Sequence, residues 1–319
     1  MTTLNARAWR LCEQLPGLAP LLRIQPITTA CGATIWDFGN KAPGGLIAGQ
    51  WLARVCLADL AQVELVPDVP AADSSASATG MLVHVYTDHP LHACMHSQYA
   101  GWKLSQDAFF AMGSGPMRAA AANEAIFQGV GREPADCAVG VLETSDVPPD
   151  DLVRKVAEKC QVAPERLCLL LARTASQAGS LQVVARSVET ALHKLMELQF
   201  DLNRVVSASG TAPLPPVARK DLEGIGRTND AVLYGGSVTL WVRGDDASIE
   251  AVVGKVPSCS SSDFGQPFGQ IFARYEYDFY RIDPHLFSPA EVRIINLDTG
   301  HTFHAGQVRR DILATSWGA

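Results

Sequence analysis

No apolar run in the sequence approaches the roughly 20 residues that a membrane-spanning helix needs, and no block of like charges occurs anywhere along its 319 residues. The first absence argues against a helical membrane protein. With 26 Lys and Arg against 33 Asp and Glu, a net charge of −7, the second leaves no basic footprint for neutralising phosphates. Nucleic acid is therefore not an expected partner. The N-terminal stretch MTTLNARAWRLCEQLPGL has no uninterrupted apolar core of the kind a secretion signal carries, so the expected location is the cytoplasm. The eight cysteines (Cys12, Cys31, Cys56, Cys94, Cys137, Cys160, Cys168, Cys259) include no CxxC pair and no regular spacing. They are expected as buried, reduced thiols rather than as a disulfide framework or a structural zinc site. A GxSxG elbow and a full GxGxxG at a first strand-helix turn are missing too, as are internal repeats.

Hydrophobic residues make up 47% and charged residues 18% of the chain, the balance of a folded globular protein. Helical patterns alternate with short aliphatic or β-branched runs, which predicts an α/β or α+β fold. MLVHVY, CAVGVLE, RLCLLLA, RVVSASG, AVLYGG and SVTLWV read as strands. LIAGQWLARVCLADL reads as a helix packed closely on a sheet, and LDTGHTF as a hairpin turn around Asp298, Thr299 and Gly300. A second helix is expected from GSGPMRAAAANEAIF, with Ser114 as N-cap and Pro116 in its first turn. The small, polar stretch DVPAADSSASATG, Asp68 to Gly80, is the expected early boundary. It gives a division into residues 1–80 with 269–319 as one domain and 81–268 as the other.

The stretch QVVARSVETALHKL, Gln182 to Leu195, reads as one amphipathic helix. At about 100° per residue, Val184, Val188, Leu192 and Leu195 share an apolar face, while Gln182, Arg186, Glu189 and His193 line a narrow polar stripe. That stripe is either a solvated face, with Arg186 and Glu189 as an ordinary i,i+3 pair, or the working face of a site. The flanks favour the second reading: ARTASQAGS leads in with small and hydroxylic residues, and VVSASGTAPLPPV follows as a strand running into a Gly/Pro-shaped loop. Ligands of open α/β sheets gather at such strand ends.

Three further segments carry more polar functionality than packing requires. GRTNDAVLYGG sets Arg227, Thr228, Asn229 and Asp230 before an apolar run, suited either to gripping a polar heterocycle or to making a turn. PSCSSSDFGQPFG is either an ordered loop or a flexible serine-rich one. AMGSGPMR offers Gly113, Ser114 and Gly115 at a helix start, where free N–H groups suit an anion or serve only for capping. A rival chemistry is metal-dependent: His84, His89, His92 and His96 crowd into HVYTDHPLHACMH, and His301 and His304 into HTFH. A metal-dependent amidohydrolase could be built on them, although HxxHxxxH is not a known ligand spacing and strand alternation points neighbouring histidines to opposite faces.

RTASQAGSLQVVARSVETALHKL, SGTAPLPPVARKDLEGIGRTNDAVLYGG, SSSDFGQPF, YDFYRIDPHLFSPAEV, SQYAGWKLSQDAFFAMGSGPMRA and LET at Leu142 to Thr144 together resemble the methenyltetrahydromethanopterin cyclohydrolase family. The matching blocks run from about Gly44 to Gly300. The resemblance implies a two-domain α/β subunit with a pterin pocket between the domains, a homotrimer, and neither metal nor redox cofactor. It implies hydrolysis of the methenyl bridge of tetrahydromethanopterin, or of its dephosphorylated form, to a formyl group in one-carbon metabolism, including formaldehyde oxidation in methylotrophs. The family's catalytic Arg/Glu pair maps onto Arg186 and Glu189. Candidate substrate contacts are Ser176 and Gln177 before the helix, Gln182 and His193 on the stripe, Gln98, Tyr99, Trp102 and Ser114, and Thr228, Asn229 and Asp230. A non-catalytic pterin-binding protein is the remaining alternative.

The chemistry agrees with the residues. The methenyl carbon of an amidinium already carries positive charge between two nitrogens, so an attacking water needs orientation and deprotonation more than it needs a Lewis acid. A carboxylate can take the water proton, stabilise the cation and return a proton to the departing nitrogen. Glu189 suits that role, with Arg186 tuning it against the opposing pull of burial.

Overall fold

A computed structural model describes residues 2–69, 78–128 and 130–318. The chain divides into two compact units, Met1–Ala61 with His92–Gln182 and Gln62–Leu91 with Val183–Ala319. Each contains a six-stranded mixed sheet, in line with the α/β expectation. The division itself differs from the expected one, because the two chain ends fall in different units. The stretch from Asp68 to Gly80 joins two paired strands of the second unit: the Asp68 N–H donates to the Gly80 carbonyl at 2.9 Å, while its residues 70–77 lie outside the described residues. Small polar residues mark any chain reversal, so a strand connection and a domain linker read alike.

Numbered along the chain, the first unit's strands are β1 (Gln25–Ile27), β2 (Thr34–Asp37), β5 (Trp102–Gln106), β6 (Phe109–Ser114), β7 (Ala138–Glu143) and β8 (Leu167–Ala172). Their order is β1-β2-β8-β7-β6-β5, with β2, β8 and β7 mutually parallel. Strand β8 is LCLLLA, and every residue of it is buried, as a parallel strand covered on both faces must be. Leu167, Leu169 and Leu171 pack with Leu152, Val153 and Val156 of α5 (Asp150–Cys160) and Met117 of α4 (Met117–Ala121). Cys168 and Leu170 pack with residues of α1 (Leu4–Cys12), α2 (Leu15–Leu22) and α3 (Leu46–Cys56). Each leucine so buried contributes about 1.5–3 kcal/mol. Helix α3 seats against α6 (Gln177–Val184) through Gly49, whose Cβ would lie 2.9 Å from Leu181 Cβ and 3.1 Å from Ala178 Cα.

The second unit's strands are β3 (Gln62–Pro67), β4 (Met81–Thr87), β9 (Val205–Pro213), β10 (Ser237–Val242), β11 (Glu291–Asn296) and β12 (Thr302–Gly306), ordered β12-β11-β10-β9-β4-β3. Only β10 and β11 pair in parallel. Its helices are α7 (Ser187–Glu197), α8 (Asp221–Gly235), α9 (Asp246–Val253), α10 (Phe268–Arg274) and α11 (Arg310–Trp317). The burial of β10 alternates between half-buried and buried residues, the period-two pattern of a sheet with one covered face. The hairpin at Asp298, Thr299 and Gly300 joins β11 to β12 as expected.

Four local expectations are corrected. AVLYGG is not a strand but the end of α8; its Ala231 to Gly235 are all buried, and a continuous apolar run looks the same in a buried helix as in a buried strand. In GSGPMRAAAANEAIF, Ser114 ends β6, and α4 is five residues long, stopped where Ala122 adopts φ 49°. The Gly115 N–H is already donated to the Ser97 carbonyl at 2.8 Å, so the anion reading of AMGSGPMR loses one of its donors. QVVARSVETALHKL is two helices, with α6 ending at Val184 and α7 starting at Ser187. All eight cysteines are free, but Cys259 is exposed while the other seven are buried. PSCSSSDFGQPFG is an ordered loop: Ser258 Oγ donates to the Leu233 carbonyl and Ser261 Oγ to Asp283.

Candidate active site

In the second unit the break before α7 sets the positions of the expected catalytic pair. Arg186 leaves helical geometry, at φ −94° and ψ 9°, and becomes the residue capping α7, while Glu189 occupies the helix's first turn. The Thr190 N–H donates to the Arg186 carbonyl at 2.9 Å, which starts the new helix. Arg186 is 6% and Glu189 5% exposed, so the solvated-face alternative does not hold. Two ionisable side chains placed in an interior carry a large desolvation cost, and free N–H groups at a helix start favour negative charge there. Close packing fixes this helix start. A Cβ on Gly210 of β9 would lie 2.6 Å from Ser187 Oγ and 2.9 Å from Val188 Cγ2.

Farther along α7, His193 is half-buried and stands 3.6 Å from Glu197. Burial lowers its pKa, with Glu197 opposing and Lys194 adding to the shift. Lys194, which the sequence reading passed over, is buried; its Nζ donates to the His285 carbonyl at 2.5 Å and to Ser260 Oγ at 3.0 Å. Burial pulls that ammonium down to about 8. Its lysine-in-a-helix setting gave no signal, because the partners come from two distant segments, Ser260 between α9 and α10 and His285 between α10 and β11.

The α8 candidates serve their own unit. Thr228 Oγ1 donates to the Gly224 carbonyl and Asn229 Nδ2 to that of Ile225, each one turn back. Asp230 is wholly buried, accepting from the Phe268 N–H at 2.7 Å and from Ser316 Oγ at 2.5 Å. Burial pushes its carboxyl up to about 7, against the pull of those two donors. Asp230 thus ties α8 to the start of α10 and to α11.

In the first unit, Gln98 ends a π-helix, Leu91–Gln98, which carries His92 and His96; such wide turns are rare and concentrate at functional positions. Gln98 and Ser114 both meet Cys56, whose Sγ is 3.3 Å from Ser114 Oγ and 4.0 Å from the Gln98 carbonyl oxygen. Trp102 is buried in β5 opposite Gly113. Arg118 is the organising residue that the sequence reading missed. Fully buried, it donates to the carbonyls of Met95 and Ser97, pairs with Glu124, and lies 4.9 Å from the Tyr99 ring centre. Its only signal in the sequence is an arginine standing at the head of an alanine run.

Ser176 caps α6: its Oγ accepts from the Gly179 N–H at 3.0 Å and donates to the Arg173 carbonyl at 2.8 Å. It also presses on Gly39, where a Cβ would be 2.5 Å from Ser176 Oγ. Gln177 is exposed and Gln182 buried. Thus Gln98, Tyr99, Trp102, Ser114, Ser176, Gln177 and Gln182 belong to the first unit, and Arg186, Glu189, His193, Thr228, Asn229 and Asp230 to the second.

The histidines do not assemble a metal centre. Among the described residues no three His, Cys, Asp or Glu side chains are grouped to hold a metal ion. His84 Nε2 is 2.9 Å from Ser209 Oγ. The rings of His92 and His96 meet edge to face at 5.2 Å, and burial lowers His96 to about 4. His301 pairs with Asp246 at 2.7 Å and His304 with Glu291 at 3.7 Å. No helix among the described residues is long and apolar enough to cross a membrane.

Residues 3–317 match the family model described as Cyclohydrolase (MCH). The chain is 51% identical over 303 residues to the methenyltetrahydromethanopterin cyclohydrolase of Rhodopirellula baltica, covering 93% of this chain and 89% of that protein. It is 41% identical to the enzyme of that name from Methylobacillus flagellatus, over 97% and 93% of the two chains. Against that of Methanosarcina barkeri it is 39% identical, over 100% and 99%.

Proposed function

The chain belongs to the methenyltetrahydromethanopterin cyclohydrolase family, and on that footing we propose that it hydrolyses the methenyl bridge of methenyltetrahydromethanopterin, or of its dephosphorylated form, to the formyl compound. The observation that carries this reading is similarity along the whole chain rather than at one motif. One-carbon metabolism, including formaldehyde oxidation, is the setting, with a cytoplasmic homotrimer as the working form.

Glu189 is the general base and acid of the proposed mechanism. Its carboxylate takes a proton from water as the oxygen bonds to the amidinium carbon, giving a neutral tetrahedral adduct. That proton then passes to one ring nitrogen, its C–N bond breaks, and the adduct's hydroxyl proton leaves as the formyl C=O forms. Cation plus water thus gives formyl product plus one proton. Arg186, capping the helix in whose first turn Glu189 stands, balances the buried carboxylate and orients it. Burial of both residues supports this assignment, since charges in apolar surroundings are costly unless paired. The reaction asks for no Lewis acid, because its electrophilic carbon is already cationic.

The test is turnover of the methenyl substrate, followed by its ultraviolet absorbance, in wild type and in Glu189→Gln. General acid-base help is worth about 10²- to 10⁴-fold, so the variant should lose that much kcat while still binding substrate. A variant that retains wild-type turnover removes Glu189 from the mechanism, and a wild type that binds without hydrolysing makes the protein a pterin carrier.

A further inference from the structure

We infer that Asn40 is a specificity-determining residue that pairs with the lactam edge of the pterin, the N–H and C=O presented side by side by its pyrimidinone ring. The inference rests on the function proposed above. It starts from the loop that follows β2. The Asp37 carboxylate accepts four backbone N–H groups in succession, from Gly39 and Asn40 at 2.9 and 2.7 Å on one oxygen and from Lys41 and Ala42 at 2.7 and 2.9 Å on the other. The loop is closed by Gly44, whose positive φ of 57° and whose missing Cβ, 2.0 Å from the Phe38 carbonyl oxygen if it were present, both demand glycine. While the loop's other polar side chain, Lys41, is exposed, pinning by these four N–H groups holds Asn40 in a fixed place.

That side chain has no use inside the protein. Both Asn40 Oδ1 and Nδ2 are buried, and neither has a hydrogen-bond partner; among the described residues no other side chain has both of its polar atoms in that condition. Leaving a buried amide unpaired costs free energy, and such groups in native proteins call for an explanation. The residue as a whole is half-buried although both amide atoms are covered, so it stands at the margin of the core and not in its centre. The place is suited to a ligand, because the loop leaves the carboxyl end of β2, which runs parallel to β8, and ligands of open α/β sheets gather at such ends. A primary amide offers one donor beside one acceptor, and the partner that satisfies both at once is a planar group with the complementary pair. Within the proposed substrate the pyrimidinone edge has that pattern; the methenyl bridge, lacking donors, does not.

The experiment compares wild type with Asn40→Leu, which has the same heavy-atom count and branching without the polar atoms, by steady-state kinetics and by thermal unfolding with and without the pterin substrate. The expected result is a KM raised at least tenfold with kcat within about threefold, an unliganded Tm unchanged or higher, and loss of the substrate-induced rise in Tm. An unchanged KM overturns the inference, as does a clearly lower unliganded Tm with substrate affinity intact, the signature of an amide satisfied by the protein itself or by buried water. Should Asn40→Leu fail to fold, Asn40→Ala gives the same readout. Wild type that neither binds nor hydrolyses the methenyl compound fails the proposed function and this inference together, whereas active wild type with an indifferent Asn40 variant fails this inference alone.

Discussion

Replacing Asp230 by asparagine should remove a pH dependence of stability that the wild-type protein carries between about pH 4 and pH 7. The carboxyl titrates at about 7 in the folded chain against 3.8 ordinarily, because burial disfavours its charged form more than the Phe268 N–H and Ser316 Oγ favour it. A pKa raised on folding means that the folded state holds a proton the unfolded state has released. The contribution is therefore fully present below pH 3.8 and is lost as pH rises through 7. Each unit in that window is worth about 1 kcal/mol or a little more, so passing from pH 5 to pH 8 costs wild type roughly 2–3 kcal/mol through this one group. Asparagine keeps an oxygen for the Phe268 N–H and can offer an N–H to Ser316 Oγ, but it does not titrate. Urea unfolding of both proteins at pH 5, 6, 7 and 8 isolates the effect, because every other titrating group cancels in the difference. The variant should gain about 2–3 kcal/mol on wild type across that range. A difference that stays constant with pH would refute the reasoning.

Gly210→Ala should destabilise the second unit by about 1–3 kcal/mol, the usual cost of overpacking. Because the added methyl group meets Ser187 and Val188 at the start of α7, kcat should fall with it; circular dichroism melts and the absorbance assay measure the two effects. His96→Phe should relieve acid lability. The folded imidazole is depressed to about 4 from 6.5, chiefly by burial, so its contribution to stability is present above pH 6.5 and lost as pH falls through 4. The variant should therefore gain on wild type only below about pH 6.5 in the same unfolding assay, and equal slopes for both proteins would show that His96 does not titrate in this window.

Much of the fold could be read from the chain because its strands announce themselves. LCLLLA is buried on both faces and SVTLWV on one, and these two kinds of strand leave different periodicities. Where the reading went astray, the local pattern was ambiguous on physical grounds. AVLYGG has the composition of a strand, but the end of α8 is buried on all sides, which removes the polar positions that would mark a helical period. The Asp68 to Gly80 stretch has the composition of a linker and the position of a strand connection. Arg118, Asn40 and Lys194 were invisible because what makes them unusual is burial, and burial comes from chain segments far away in sequence.

The polar stripe shows how a single-helix projection can bring together residues that the fold divides between two helices. Projecting Gln182, Arg186, Glu189 and His193 onto one continuous helix put them in line, but neither glycine nor proline marks the break at Arg186, so no sequence rule could have found it. The break changes the electrostatics. Within one long helix, Arg186 and Glu189 would face each other in a middle turn, far from either end of the dipole. Here Glu189 stands in a first turn, which favours a carboxylate's charge, and Arg186 occupies the N-cap position at the same end without a side-chain cap, where a cation is disfavoured. A cation at that end is tolerable beside a carboxylate or another anionic group and costly without one. In the mechanism proposed above, where the two side chains pair, the break thus makes the charge of each depend on the other. Loss of Glu189 should accordingly disturb Arg186 more than a solvated i,i+3 pair, worth only about 0.2–0.5 kcal/mol, would allow.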